Sequence, residues 1–321
     1  MSDEQFSVLI TDQLLAVEDR LIEAATSDNP FVNEAAGHVM SAGGKRFRPA
    51  LVSIAAHLAE APDPERLIKA ALVVELSHVA SLYHDDVMDD ADIRRGVASA
   101  NRQYGNTVAI LVGDFLFARA SSQVASLGKD FVLLQADTFA ELVTGQIAET
   151  VGPDPDEDPI AHHLRVLSGK TASLIRTSVL FGGMVADAGP QILDALGRYG
   201  HEIGMVFQLS DDLIDVISDT TGKTPGTDLR EGVPTLPTLL LRASSDPADQ
   251  ELVSLIDAGL ADDDDLARAL AGLRASDVIV QVRAEINRRA EIARGHLAPL
   301  PDGAPKRALA KLCDEVVTRS S

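Results

Sequence analysis

Tryptophan is absent from this chain and aromatic side chains make up only 4% of it, yet 45% of its residues are hydrophobic. The core must therefore be filled by Leu, Ala, Val and Ile, a composition that suits long helices packed on one another. A single cysteine, Cys313, excludes an internal disulfide and a cysteine-based zinc site, and it fits a reducing compartment. Basic residues are scarce, 28 Lys and Arg against 49 Asp and Glu. That deficit argues against a nucleic-acid partner, because a polyanion is bound through a basic face that releases counterions. An anionic ligand would have to meet a local basic cluster. The start, "MSDEQFSVLI", lacks the basic and apolar regions of a signal peptide, and no run of about 18 apolar residues is available to span a bilayer. A cytoplasmic protein without a transmembrane segment is expected.

Strand-like alternation is missing too, and no convincing pair of β-hairpin strands stands out. In "QILDALGRYGHEIGMVFQLSDDLIDVISD" (191–219) the apolar residues recur mostly at steps of three, four and seven, as they do in "ERLIKAALVVELSHVASLYHDD" (65–86). This periodicity predicts an all-α protein with many helices. "GPDPDEDP" (152–159) reads as a solvated loop between helices. "SDTTGKTPGTDLREGVPTLP" (218–237) carries too many special residues for a passive connector.

What the chain has in excess is aspartate in two patterned places. "DDVMD" places Asp85, Asp86 and Asp89 together, and "DDLID" repeats the spacing with Asp211, Asp212 and Asp215. On a helix, positions i and i+4 lie one turn apart on one face, so Asp85 and Asp89 project together and repel unless a cation sits between them. An all-oxygen donor set selects a hard ion, and Mg²⁺ is usually held by one or two carboxylates together with substrate phosphates. A solvated acidic face is the bland alternative. It fits "ADDDDLARAL" (261–270), where Asp262 to Asp265 open a helix as a cap and first-turn acids. The two DDxxD segments differ from that run in being flanked by apolar residues, so their carboxylates need partners.

Basic groups answer them. Arg94 and Arg95 follow the first motif directly, "GGKRFRP" offers Lys45, Arg46 and Arg48, "SGKTASL" offers Lys170 beside Thr171, and the later loop adds Lys223. Arginine grips phosphate bidentately and lysine supplies a point charge, while glycines let backbone amides approach an anion. Together with the carboxylates they suggest two diphosphates, one bound through Mg²⁺ and one directly. His78, at i−7 from Asp85, reads either as part of that face or as a satisfied helix histidine.

In this order, "GGKRFRP", "LYHDDVMDDADIRRG", "GDFLFARA", "GKTASL", "FQLSDDLIDV" and "GKTPGTDLREGVPTLP" resemble the motifs of the trans-prenyl diphosphate synthases, or polyprenyl synthetases, over nearly the whole chain. The resemblance implies one domain over residues 1–321 with the isoprenoid synthase fold, an all-α bundle of long helices around a central cavity, and a homodimer. It implies Mg²⁺ as cofactor, three ions per site, held by Asp85, Asp89 and Asp211, with Asp86, Asp212 and Asp215 in support. Arg94, Lys170, Thr171, Gln208 and Lys223 would contact an allylic diphosphate, and Lys45, Arg48, His78 and Arg95 isopentenyl diphosphate. The reaction implied is ionisation, condensation and proton loss, giving an all-trans polyprenyl diphosphate. Small residues before Asp85, namely Ser77, Ala80 and Ser81, imply a product of twenty carbons or more, unless Phe115 or Phe117 sets the floor deeper. The competing readings are a class I terpene cyclase, which has no need of a separate isopentenyl pocket, and a non-catalytic regulatory subunit, which would be expected to lose some of these residues.

Overall fold

The computed structural model describes residues 1–59, 61–217 and 225–318. In chain order the helices are α1 (Asp3–Ala24), α2 (Pro30–Ser41), α3 (Phe47–Ala56), α4 (Pro64–Met88), α5 (Ala100–Tyr104), α6 (Asn106–Ala125), α7 (Lys129–Val151) and α8 (Pro159–Leu167). A π-helical turn at Ser168–Ala172 leads into α9 (Ser173–Val185), α10 (Pro190–Ile217), α11 (Thr227–Glu231) and α12 (Leu236–Ala243). The chain continues through α13 (Pro247–Asp257), α14 (Asp263–Ala275), α15 (Val278–His296) and α16 (Ala304–Thr318). The expected all-α architecture is present. It has one exception among the described residues, a minimal antiparallel pair of β1 (Ile93–Arg94) and β2 (Val97–Ala98). Strands of two residues are too short for any periodicity to reveal.

The helix boundaries follow local chemistry. Asp63 accepts hydrogen bonds from the amides of Glu65 and Arg66 and Pro64 opens α4, so cap and proline start that helix together. Asp158 and Pro159 do the same for α8. Asp262 caps α14 by accepting from the Asp264 amide, with Asp263, Asp264 and Asp265 in the first turn, so this acidic run is helix-start chemistry.

Two compact units are each assembled from three segments. The first comprises Met1–Phe139, Leu174–Gly197 and Pro299–Leu309. Its core is aliphatic, built from Val17, Leu21, Leu67, Leu72, Leu76 and their neighbours, with Phe131 and Phe181 as ring contacts 5.1 Å apart. Helix α4 is buried nearly all round, and Tyr83 ties it to α2 by donating its hydroxyl to the Ala35 carbonyl at 2.5 Å. α4 also meets α6 closely, since a Cβ on Gly113 would stand 2.3 Å from the His84 ring. By length and composition α6 could cross a bilayer. Counting apolar runs missed this because Asp114 and Arg119 interrupt it. In the structure Leu116, Ala120 and Val124 of α6 belong to the core of the unit.

The second unit comprises Ala140–Ser173, Arg198–Ala298 and Ala310–Ser321. Glycines set its closest crossings. A Cβ on Gly145 of α7 would lie 2.6 Å from the Lys170 backbone nitrogen, and one on Gly204 of α10 would lie 2.6 Å from the Ala172 Cα. The π-helical turn is thus clamped between two helices, which fixes where Lys170 and Thr171 project. A single π-turn inside a helical stretch is a common device at functional sites.

Candidate active site

Asp85 and Asp89 stand at the C-terminal end of α4, where the Asp89 amide still donates to the Asp85 carbonyl at 2.8 Å. Both side chains reach solvent, Asp85 partly and Asp89 fully. This is the negative pole of the helix, the least favourable place for a pair of carboxylates, and no basic residue occupies the last turn. Asp86 differs. It is completely buried, and it accepts from Arg94 Nε at 2.6 Å and from the Ala100 amide at 3.3 Å. Asp90 and Asp92 are neutralised at the surface by Arg102, at 3.1 and 2.6 Å.

The β1–β2 turn presents the two arginines that follow. Arg95 and Gly96 both take positive φ, 53° and 81°, as a two-residue hairpin turn requires. An L-residue there costs about 1 kcal/mol, so the backbone holds Arg95 in place at an expense. Its guanidinium lies 3.2 Å from where a Cβ on Gly44 would be and 3.9 Å from Glu75. "GGKRFRP" and "RRG" therefore meet in space, and a side chain at Gly44 would press on the Arg95 guanidinium. Burial, reinforced by the repulsion of Arg46 and Arg94, leaves Arg95 below its ordinary pKa, although the charge of Glu75 acts the other way.

Three basic residues of "GGKRFRP" go to three environments: Lys45 is exposed, Arg46 buried and Arg48 half-buried. Arg46 donates to Glu18 at 2.5 and 2.7 Å, to Glu75 at 2.6 Å and to the Met40 carbonyl at 3.1 Å. His78 is half-buried on α4. Burial first, then the positive charges of Arg48, Arg95, Arg94 and Arg46, push it well below the ordinary 6.5. A neutral imidazole amid four guanidinium charges marks a locally positive region in an acidic protein. Ser77 and Ala80 are buried, and Ser81 donates to the His78 carbonyl at 2.8 Å. Phe117 lies 5.7 Å from the His84 ring and 4.5 Å from Phe139, while Phe115 and Phe117 both pack on the core.

In the second unit Asp211 and Asp215 lie near the C-terminal end of α10, again partly open to solvent and again without a basic residue in the last turn. Asp212 is buried and accepts from Gln208 Nε2 at 2.9 Å. Gln208 in turn accepts from Thr171 Oγ1 at 2.9 Å. Lys170 Nζ donates to Glu149 at 2.5 Å, and Gln146 reaches the same carboxylate at 3.0 Å. The Asp215 carboxylate accepts from the Asp228 amide at 3.2 Å and its carbonyl from the Gly226 amide at 2.9 Å, so α11 is anchored on this motif. Lys223 lies outside the described residues.

Sequence reasoning missed Glu75, Glu149 and His163, each of which partners a residue it had named. Nothing in their local pattern marks them. The glycines at 145 and 169 were the available signal for Glu149, since Cβ-free crossings at both positions bring α7 against the Lys170 turn.

Among the described residues no three carboxylate, imidazole or thiol groups converge on one point. The donor sets are instead pairs of carboxylates one helical turn apart. Such pairs fit a hard dication that keeps water and phosphate among its ligands.

Partly open carboxylate pairs at helix C-termini, with basic residues gathered in each unit, define an all-α enzyme that handles diphosphates with divalent cations. The polyprenyl synthetase family profile matches residues 29–273, and the chain belongs to that family. It is a prenyltransferase with the isoprenoid synthase fold. It is 44% identical over 310 residues to the nonaprenyl diphosphate synthase of Mycobacterium tuberculosis, spanning 96% of this chain and 91% of that protein. Among solved structures, the geranylgeranyl pyrophosphate synthase of Corynebacterium glutamicum, complexed with calcium and isoprenyl diphosphate, aligns with a TM-score of 0.89 at 42% identity over 99% of this chain and 98% of that one. The decaprenyl diphosphate synthase of Rhodobacter capsulatus aligns with a TM-score of 0.89 at 31% identity over the whole of both chains.

Proposed function

We propose that the chain, acting as one domain over residues 1–321, condenses isopentenyl diphosphate with an allylic diphosphate to give an all-trans polyprenyl diphosphate of twenty carbons or more. The observation that carries this reading is the pair of Asp-x-x-x-Asp motifs at helix C-termini, together with a separate arginine-rich cluster around His78. Asp85, Asp89 and Asp211 would hold Mg²⁺, three ions per site, with Asp215 alongside. Mg²⁺ supplies Lewis acidity and charge neutralisation to the leaving diphosphate. Asp86 and Asp212, both turned inward, act as positioning residues for the carboxylates beside them.

The chain's own groups do the rest. Lys170, Thr171, Gln208, Arg94 and Lys223 bind the allylic diphosphate, with Lys170 exchanging Glu149 for the phosphate. Lys45, Arg48, Arg95 and His78 hold isopentenyl diphosphate, and the neutral state of His78 leaves it able to donate without adding a fifth charge. The allylic C–O bond breaks first to release diphosphate and leave the allylic cation. The double bond of isopentenyl diphosphate attacks that cation to form the new C–C bond, and the proton lost goes to the released diphosphate. The aliphatic face of α4 excludes water from the cation. Ser77, Ala80 and Ser81 leave room one and two turns before Asp85, and Phe115 or Phe117 would then end the channel.

We further propose a cytoplasmic homodimer. Ile110 and Leu111 of α6 and Val132, Leu133 and Phe139 of α7 are exposed apolar residues, and exposed apolar side chains of this kind suit burial against a second copy. The decisive test is incubation of the purified protein with Mg²⁺, labelled isopentenyl diphosphate and allylic primers of increasing length. Absence of any elongated product refutes the reading. Cyclised products would favour a terpene cyclase, against which the separate basic cluster argues.

A further inference from the structure

Two adjacent histidines open onto different surroundings in α8. His162 bridges Glu157 and the Ala148 carbonyl, both at 3.1 Å, and is thereby accounted for as a structural group. His163 points elsewhere. Its Nε2 lies 3.4 Å from Asp212 Oδ2, with only 8% and 6% of the two side chains exposed. Neither atom makes a hydrogen bond. The other Asp212 oxygen is taken by Gln208 at 2.9 Å. A buried carboxylate oxygen without a donor is costly, and the imidazole is the group facing it.

We propose that His163 is a positioning residue of the second aspartate motif: its Nε2–H, facing Asp212, fixes the turn of α10 that carries Asp211 and Asp215 and so sets the affinity of that motif for a divalent cation. This rests on the reading of Asp211 as a cation ligand. The physical reason is helical geometry. Successive residues are about 100° apart around the axis, so pinning Asp212 inward holds Asp211 about 100° and Asp215 about 60° round from it, both to the same side. The first motif has the same arrangement by other means, with Asp86 pinned by the Arg94 guanidinium at 2.6 Å. An arginine guards one motif and a histidine the other. Groups that orient a ligand's surroundings in this way typically govern metal affinity by about 10- to 100-fold.

The test uses the full chain in three forms, wild type, His163→Phe and His163→Gln. Phenylalanine keeps the ring bulk and removes the donor, while glutamine restores an N–H at similar reach. The Mg²⁺ concentration for half-maximal elongation should rise about tenfold in His163→Phe and return most of the way in His163→Gln, with KM for isopentenyl diphosphate within about twofold throughout. Mg²⁺ with inorganic diphosphate should raise the melting temperature of the wild type more than that of His163→Phe. In metal-free wild type, the ¹⁵N shift of His163 Nε2 should be that of a protonated nitrogen. A bare Nε2 overturns the proposal even if His163→Phe fails to fold, and so does a folded His163→Phe with wild-type Mg²⁺ dependence. A wild type inactive on both diphosphates defeats the functional reading instead, and leaves the nitrogen measurement to judge the His163–Asp212 contact by itself.

Discussion

Lys45, Arg46 and Arg48 fall within four consecutive positions, and substitutions there should fail in different ways. Arg46 is 8% exposed and its guanidinium satisfies Glu18, Glu75 and the Met40 carbonyl. Burial acts against its charge, but the hydrogen bonds to Glu18 and the charge of Glu75 outweigh that and raise its pKa. Replacing it with leucine leaves Glu75, itself 3% exposed, as a buried anion with only Arg95 at 3.9 Å nearby. Removing one partner of a buried pair costs about 3–5 kcal/mol. At roughly 2 °C per kcal/mol for a chain of this size, the melting temperature of Arg46→Leu should fall by about 6–10 °C. Lys45 is exposed. Lys45→Ala should melt as the wild type does, yet lose tenfold or more in kcat/KM for isopentenyl diphosphate, about 1.4 kcal/mol of transition-state binding. Arg48→Ala should behave like Lys45→Ala in kinetics. Thermal unfolding and steady-state rates on the same preparations separate the two effects. A stable Arg46→Leu with selectively raised KM, or a Lys45→Ala that unfolds early, would refute the division of labour.

Asp85→Ala and Asp211→Ala should each abolish most turnover in the elongation assay, whereas Asp263→Ala, which removes only a surface partner of Arg230, should leave it intact. Gly145→Ala drives a Cβ to 2.6 Å from the Lys170 backbone nitrogen; denaturant unfolding should show a loss of about 1–3 kcal/mol, with KM for the allylic substrate raised. Stability should decline as pH falls below 6.5, because the unfolded chain protonates His57 and His78 while the folded protein, which holds both below that value, resists doing so. His78→Asn should flatten that decline, and an unchanged pH slope in unfolding melts would show that neither burial nor the arginines hold His78 below its ordinary value. Inorganic diphosphate should raise the His78 pKa in an NMR titration by offsetting the same arginines.

Much of the site was legible because its residues sit in contiguous motifs. The spacing of Asp85 and Asp89 is a property of one helix, and helical periodicity alone locates it. What the sequence could not reveal lies in partners far along the chain. The Glu75 that holds Arg46 is on α4, and the Glu149 that holds Lys170 comes from α7; both read locally as ordinary helix glutamates. Composition likewise hid the hairpin at Ile93–Ala98, whose only trace is Gly96, and with it the way one arginine pins Asp86 while the next sits in the turn.

The place of the carboxylates explains why the two motifs share a spacing with so little else in common. A helix C-terminus presents unsatisfied carbonyls and the negative end of the dipole, so an aspartate pair in the last turns is opposed by both its own repulsion and the backbone. In α14 the same residue type at the opposite end is favoured without any ligand, and there Asp262 caps and Asp263 pairs with Arg230. Aspartate at a helix start is therefore explained by folding. The pairs at the ends of α4 and α10 are not. A cation held by either pair would offset both its mutual repulsion and the helix dipole. On the reading of these carboxylates as cation ligands, Asp85→Asn should shrink the rise in melting temperature that Mg²⁺ with inorganic diphosphate gives, even as it removes activity.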